Sequence, residues 1–361
     1  MSLSDTSPRS HQVAPAELPK GQWLWQVGQK TLLIDAHAVK RNLCLLFVLM
    51  VISVVCLGFG TLQIAPKEVV LALFGYGDTM TQFVVNELRL NRLLAGIYTG
   101  AAFSIAGCLM QTVARNRLAT PGIIGIDNAA MAFAVASVVG VGISLAPSAM
   151  ALTGAATATA LAFIIGGGSG TRGYRFIVAG LAVGSVSAAI SQLLLSQVHI
   201  DTANAAYPWT VGSLSGRPEE QIPLMGWVTV IGLGISLILG RWFQLMAFSD
   251  PVITALGNRP NQLRLVAVII AVTMTGFAVA LAGPVGLVAL VGPEMARTFA
   301  RHRGLPLLSS ALCGAIVMIL ADFIGRTVLS PIELPVGVVT AVVGGPYLLW
   351  ILIRKPKQST L

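Results

Sequence analysis

Apolar stretches separated by short polar, glycine or proline breaks dominate the chain. Ten can be drawn, near residues 43–60, 93–113, 122–141, 147–166, 175–197, 223–241, 264–282, 286–300, 307–328 and 335–353. A helix needs about 20 apolar residues to cross a bilayer core, and most of the ten approach that length. The eighth is shorter and opens at Gly283-Pro284. It predicts a half-helix held inside the bundle, where protein rather than lipid surrounds the irregular backbone. Residues 1–42 are polar, and the first apolar run follows Lys40 and Arg41. This is the pattern of an uncleaved first membrane helix rather than of a secretory signal. The expected organisation is a polar amino-terminal segment over 1–42, a membrane domain over 43–353 and a short tail over 354–361.

Charge tests this span count. With residue 1 on the cytoplasmic side and the spans alternating, 18 of the 23 basic residues fall on inner segments. The exceptions are Lys67, Arg89, Arg92, Arg217 and Arg326, while Glu68, Asp78, Glu87, Asp201, Glu219, Glu220 and Glu333 collect outside. A wrong count would scramble this asymmetry, so the positive-inside rule supports ten spans with both termini cytoplasmic. Composition agrees: 55% of the 361 residues are hydrophobic and 10% charged, against about 25% charged in a soluble domain. A soluble enzyme, a disordered chain and a nucleic-acid binder are excluded as whole-chain readings. The net charge of +9 is explained by inner-side lysine and arginine, with no nucleic acid as partner.

Candidate chemistry is sparse. Cys44, Cys56, Cys108 and Cys313 lie in apolar runs without a CxxC pair and read as packing residues. No HExxH, GxSxG or histidine cluster is present, so no catalytic or metal site is expected. The stretch from Gly166 to Arg172 is glycine-rich but lacks the Gly-Lys-Ser/Thr ending of a phosphate loop, and reads as a flexible inner connection. Ionisable residues at membrane depth are Asp127, Glu294 and Asp322, positions that default to a functional hypothesis. Asp322 and Arg326 stand four apart on one helix face and can pair. Glycines at four-residue spacing (Gly96, Gly100; Gly180, Gly184) predict close helix approach. Between the sixth and seventh spans, Ser249 or Asp250 can cap a helix with Pro251 in its first turn, and Gly257 can stop it. A two-turn amphipathic helix over about 250–258 is expected there, either docking a partner or simply connecting spans.

Four blocks resemble one family. They are Glu87-Leu88-Arg89-Leu90-Asn91-Arg92; Gln111 through Arg115-Asn116-Arg117-Leu118-Ala119-Thr120-Pro121 to Gly125; Ala255-Leu256-Gly257; and Ala282-Gly283-Pro284 through Pro293-Glu294-Met295-Ala296-Arg297 and Ala321-Asp322 to Glu333-Leu334-Pro335-Val336-Gly337. Together they resemble the permease subunits of type II ATP-binding-cassette importers, which carry ferric siderophores, haem and cobalamin, and look most like the ferric-siderophore branch. Asn91 and Arg117 stand where proline is usual, and Glu294 where the family has histidine. Asp127 sits where small polar residues are common. The resemblance implies an all-α, cobalamin-permease-like fold in the bacterial inner membrane. It implies no cofactor and no catalysis on this chain. The implied partners are a second permease subunit, homologous or identical, two ATPase subunits that use ATP and Mg, a periplasmic binding protein, and a ferric siderophore as cargo. Asp250, Ala255, Leu256 and Gly257 would then couple to the ATPase. Arg89, Arg92 and Arg326 would dock the binding protein, with Arg89 and Arg92 presented outward by one helix turn. Haem or cobalamin is the alternative cargo. An ion-gradient-driven transporter using Asp127 and Glu294 is the rival class.

Overall fold

The computed structural model describes residues 22–27, 30–60, 62–141, 145–166, 174–300 and 304–353. The glycine-rich connection ending at Arg172, the head before residue 22 and the tail over 354–361 lie outside these residues.

The chain enters through two antiparallel strands, β1 (Gln22–Val27) and β2 (Lys30–Asp35), with Val27 opposite Lys30. Helix α1 (Ala36–Gly58) follows at once. Residues 1–42 are therefore not a purely polar lead-in, because α1 begins seven residues before the predicted span. Lys40 and Arg41 do not stop a helix, since their long stems let the charge reach out of an apolar environment.

Then come α2 (Pro66–Leu73), α3 (Thr79–Phe83), a π-helical segment (Val84–Arg89) and α4 (Leu90–Ala114). α3, the π segment and α4 run on as one 36-residue helical stretch. A 3₁₀ turn (Pro121–Ile124) leads to α5 (Ile126–Val139), followed by α6 (Pro147–Ile165), α7 (Tyr174–Ser196) and α8 (Ile200–Val211). Next are α9 (Gln221–Ile238), α10 (Gly240–Leu245), α11 (Asp250–Ala255) and α12 (Pro260–Ala282). Last are α13 (Val288–Ala300), α14 (Leu307–Thr327) and α15 (Val336–Ile353).

Each of the ten predicted runs falls on a helix. Seven helical stretches among the described residues are long and apolar enough to cross a membrane. The eighth run becomes α13, 13 residues with Pro293 inside, as a half-helix requires. The five further helices are short.

α4 is the central element. α12, α13 and α14 pack along it, and α1 and α9 flank the group, while α5 gathers α6, α7 and α8. Small residues set the approach. A Cβ added to Gly100 would stand 2.5 Å from the Gly314 carbonyl oxygen, so alanine there would force α4 and α14 apart. Such contact replaces the hydrophobic drive that lipid cannot supply. One polar staple lies in the same seam: Ser104 Oγ donates to the Ser310 carbonyl at 2.6 Å.

Candidate functional site

Charged side chains concentrate at the two ends of the bundle. At one end, α11 is a six-residue helix built from local rules. Pro251 presets φ in its first turn. Gly257, at φ 78°, ends it, with the Gly257 amide bonded to the Thr254 carbonyl at 2.9 Å and the Asn258 amide to the Ile253 carbonyl at 3.1 Å. Nothing lies within 4 Å of a Cβ built on Gly257, so glycine is needed for its conformation and not for space. Ile253 is buried, while Pro251, Val252, Ala255 and Leu256 are exposed. The helix thus buries one apolar side chain and presents an apolar face.

Ser249, the residue before α11, makes no capping hydrogen bond with its side chain. Asp250 serves a different purpose from the cap expected. Its carboxylate accepts Arg264 Nη2 at 2.5 Å and Nη1 at 3.2 Å, and Arg115 Nη2 at 3.2 Å. A two-armed guanidinium contact is stronger than one backbone N–H bond. Arg115 also donates from Nε to the Met246 carbonyl at 2.9 Å and from Nη2 to the Phe248 carbonyl. It reaches them from the end of α4 in the left-handed conformation, φ 50°. α11 is therefore strapped to α4 and α12.

Beside this clamp, Glu294 of α13 is only 8% exposed. Arg297 Nη1 lies 3.3 Å and Arg117 Nη1 3.4 Å from its carboxylate. Arg297 Nη1 also donates to Gln111 Oε1 at 2.6 Å. Two arginines thus neutralise the Glu294 carboxylate. A cleft of about 400 Å³ lies between the ends of α4, α10, α13 and the start of α14.

At the opposite end, Asp322 of α14 is the hub. Arg92 binds it with Nε at 3.0 and 3.2 Å and Nη2 at 2.9 Å, and turns Nη1 to Glu333 at 2.8 Å. Arg326 Nε stands 3.1 Å from the same carboxylate, as the four-residue spacing implied. Arg89 is not presented outward as expected. It is 9% exposed, and it donates to the Leu57 and Leu62 carbonyls, both at 2.6 Å. The end of α1 leaves carbonyls without helical partners, and the π segment turns Arg89 toward them. All three arginines still line one cleft of about 520 Å³, with Glu333 and Gln63.

Asp127 stands apart from both clusters, in the first turn of α5. Its Oδ1 is buried and has no hydrogen-bond partner among the described residues. Cys56, Cys108 and Cys313 are buried, as packing residues should be, whereas Cys44 is exposed on α1.

Three participants were given no role in the sequence reading. Glu333 and Gln111 were not singled out, although both lie within the quoted blocks. Arg217 was noted only for its side of the membrane. It lies 4.0 Å over the Trp209 ring and donates to the Ser213 carbonyl at 2.8 Å, and burial lowers its pKa to about 10.

Residues 45–354 match the model of the FecCD transport family. The chain belongs to that family. It is 34% identical over 318 residues to the Fe(3+)-citrate import system permease protein YfmE of Bacillus subtilis, an alignment covering 86% of this chain and 93% of that one. It is 31% identical over 327 residues to the ferric enterobactin transport system permease protein FepG of Escherichia coli, covering 89% and 99%. It is 36% identical over 284 residues to the Fe(3+) dicitrate transport system permease protein FecD of Escherichia coli, covering 75% and 86%. The fold matches a metal-chelate type ABC transporter solved in an inward-facing conformation, with TM-score 0.76 and 22% identity over 88% of this chain and all of that one. The chain is thus a multi-pass membrane transport protein with the metal-chelate permease fold.

Proposed function

We propose that this chain is the permease subunit of an ATP-binding-cassette importer that moves a ferric siderophore across the bacterial inner membrane. The observation that carries the reading is α11. It is an exposed apolar helix too short to span, braced by Asp250 against α4 and α12. The names of the relatives, permeases of ferric citrate and ferric enterobactin systems, support the cargo class.

In this reading the α11 end is cytoplasmic, and so are both termini. Ala255, Leu256 and Gly257 seat in a groove on one of two ATPase subunits, which bind ATP and Mg. A second permease chain completes the pathway. The opposite cleft, with Arg89, Arg92 and Arg326, receives acidic side chains of a periplasmic binding protein. ATP drives transport only if nucleotide state changes the relative stability of the outward-open and inward-open forms. The Asp250 clamp supplies the physical link, since a shift of α11 pulls on the two helices at the centre of the bundle. A rival ion-driven mechanism needs free acids at mid-membrane. Of its two candidates, Asp127 and Glu294, the second is instead paired with two arginines.

The test is uptake of a ferric siderophore into proteoliposomes holding the whole transporter. Uptake should require internal ATP and vanish in Leu256→Asp, which puts a charge on the docking face. Uptake that persists without ATP under a proton gradient would overturn the proposal.

A further inference from the structure

The cleft at the α11 end holds more positive charge than its carboxylates neutralise. Three guanidiniums line it among the described residues, those of Arg115, Arg117 and Arg297, and a fourth, that of Arg264, stands behind them on Asp250. They meet two carboxylates, Asp250 and Glu294. Two positive charges remain in excess.

Gln111 adds an independent sign. It is 3% exposed and lines the cleft. Its Oε1 accepts the Arg297 bond. A guanidinium can only donate, so the amide cannot be turned round and its Nε2 must face away from Arg297. That Nε2 is buried and has no acceptor among the described residues. Buried donors are nearly always satisfied, so an acceptor is called for at this spot. A third feature agrees. Leu305 and Pro306 form the rim, where the 21-residue helix α14 begins without a side-chain cap. Its first N–H groups and its dipole favour negative charge. A cation is repelled here, and a neutral ligand would leave the charge excess in place.

We infer that this cleft binds a phosphate-type oxyanion, the headgroup of an anionic phospholipid or free phosphate. The Gln111 amide and the Arg117 and Arg297 guanidiniums are its donors. The inference stands apart from the identity of the cargo.

Two arms separate the sources, both on the assembled transporter. Native mass spectrometry compares retention of phosphatidylglycerol with phosphatidylcholine offered at equal concentration. Thermal unfolding of the delipidated complex compares sodium phosphate with sodium chloride at matched ionic strength. Gln111→Glu keeps the oxygen that Arg297 needs and replaces the free donor with a negative charge, while Gln111→Met removes both. Wild type should prefer the anion in at least one arm, and either variant should weaken that preference about tenfold, the worth of one hydrogen bond to a charged group. Preference only for phosphatidylglycerol assigns a lipid headgroup, and preference only for phosphate assigns a soluble anion. No preference in either arm, or one that both Gln111 variants keep, overturns the inference. If neither variant assembles, Arg117→Gln carries the same expectation, because that side chain is 73% exposed and its loss leaves the core intact.

Discussion

Removing the Asp250 carboxylate is the sharpest perturbation the structure offers. Arg264, its nearer partner, has a side chain 8% exposed, against 41% for Arg115. Breaking a buried pair by deleting one partner costs about 3–5 kcal/mol, whereas an exposed pair is worth under about 1 kcal/mol. The Arg115 contact therefore contributes little, and the Arg264 contact most of the effect. Asp250→Asn leaves one oxygen acceptor, and Asp250 is itself partly solvated, so the loss falls to about 2 kcal/mol. Spread over α11, that is about a 30-fold rise in local opening. Hydrogen exchange of the amides over 252–258 in the assembled transporter reads it directly. Uptake should fall while ATP hydrolysis continues, because a loosened strap passes less motion to α4 and α12. A double-mutant cycle with Arg264→Gln should return a coupling of about 1–3 kcal/mol. Unchanged exchange and unchanged uptake in both Asp250→Asn and Asp250→Ala would refute the strap.

Three further outcomes are expected. Gly257→Val places a β-branched residue at φ 78°, a strain of about 1–2 kcal/mol; insertion should stay normal while uptake and transport-stimulated ATP hydrolysis both fall, measured in proteoliposomes. Glu294→Gln keeps an acceptor for its two arginines, so uptake should stay near wild type, while Glu294→Ala leaves both arginines without it and should lower the thermal midpoint of the purified complex more. Arg92→Gln removes the partner that Asp322 shares with Arg326; stability should fall by about 1–2 kcal/mol, since Arg326 still compensates the charge. Binding of the periplasmic protein to Arg92→Gln should weaken and lose part of its salt dependence, whereas unchanged binding at two ionic strengths would remove Arg92 from the docking surface.

The membrane part of the fold was legible because the bilayer writes its demand into every spanning residue. Each of the ten apolar runs therefore fell on a helix, the half-helix α13 included, and seven helical stretches among the described residues are long and apolar enough to span. α8 was not legible: Asp201 and Pro208 make its 12 residues read as a loop, and it packs as a helix against α5 and α15 with Ala206 buried. α2 and α3, at 8 and 5 residues, are below the length that periodicity can resolve.

The charged clusters divide along the same line. The Asp322–Arg326 pair was readable because its members stand four apart. Arg92 joins Asp322 across 230 positions and Glu333 across 241, and Arg297 finds Gln111 across 186. Nothing in linear spacing carries such contacts; they arise when α4, the central helix, brings its two ends beside α13 and α14. Their arrangement explains why so few charges suffice in a chain this apolar. Three acids of these two end clusters each answer two arginines, Asp250 and Glu294 at one end and Asp322 at the other, while Glu333 pairs with Arg92. Each of these three carboxylates holds two guanidiniums, so deleting one leaves two arginines without that charge. Asp250 is the one among them whose loss frees an exposed helix, α11.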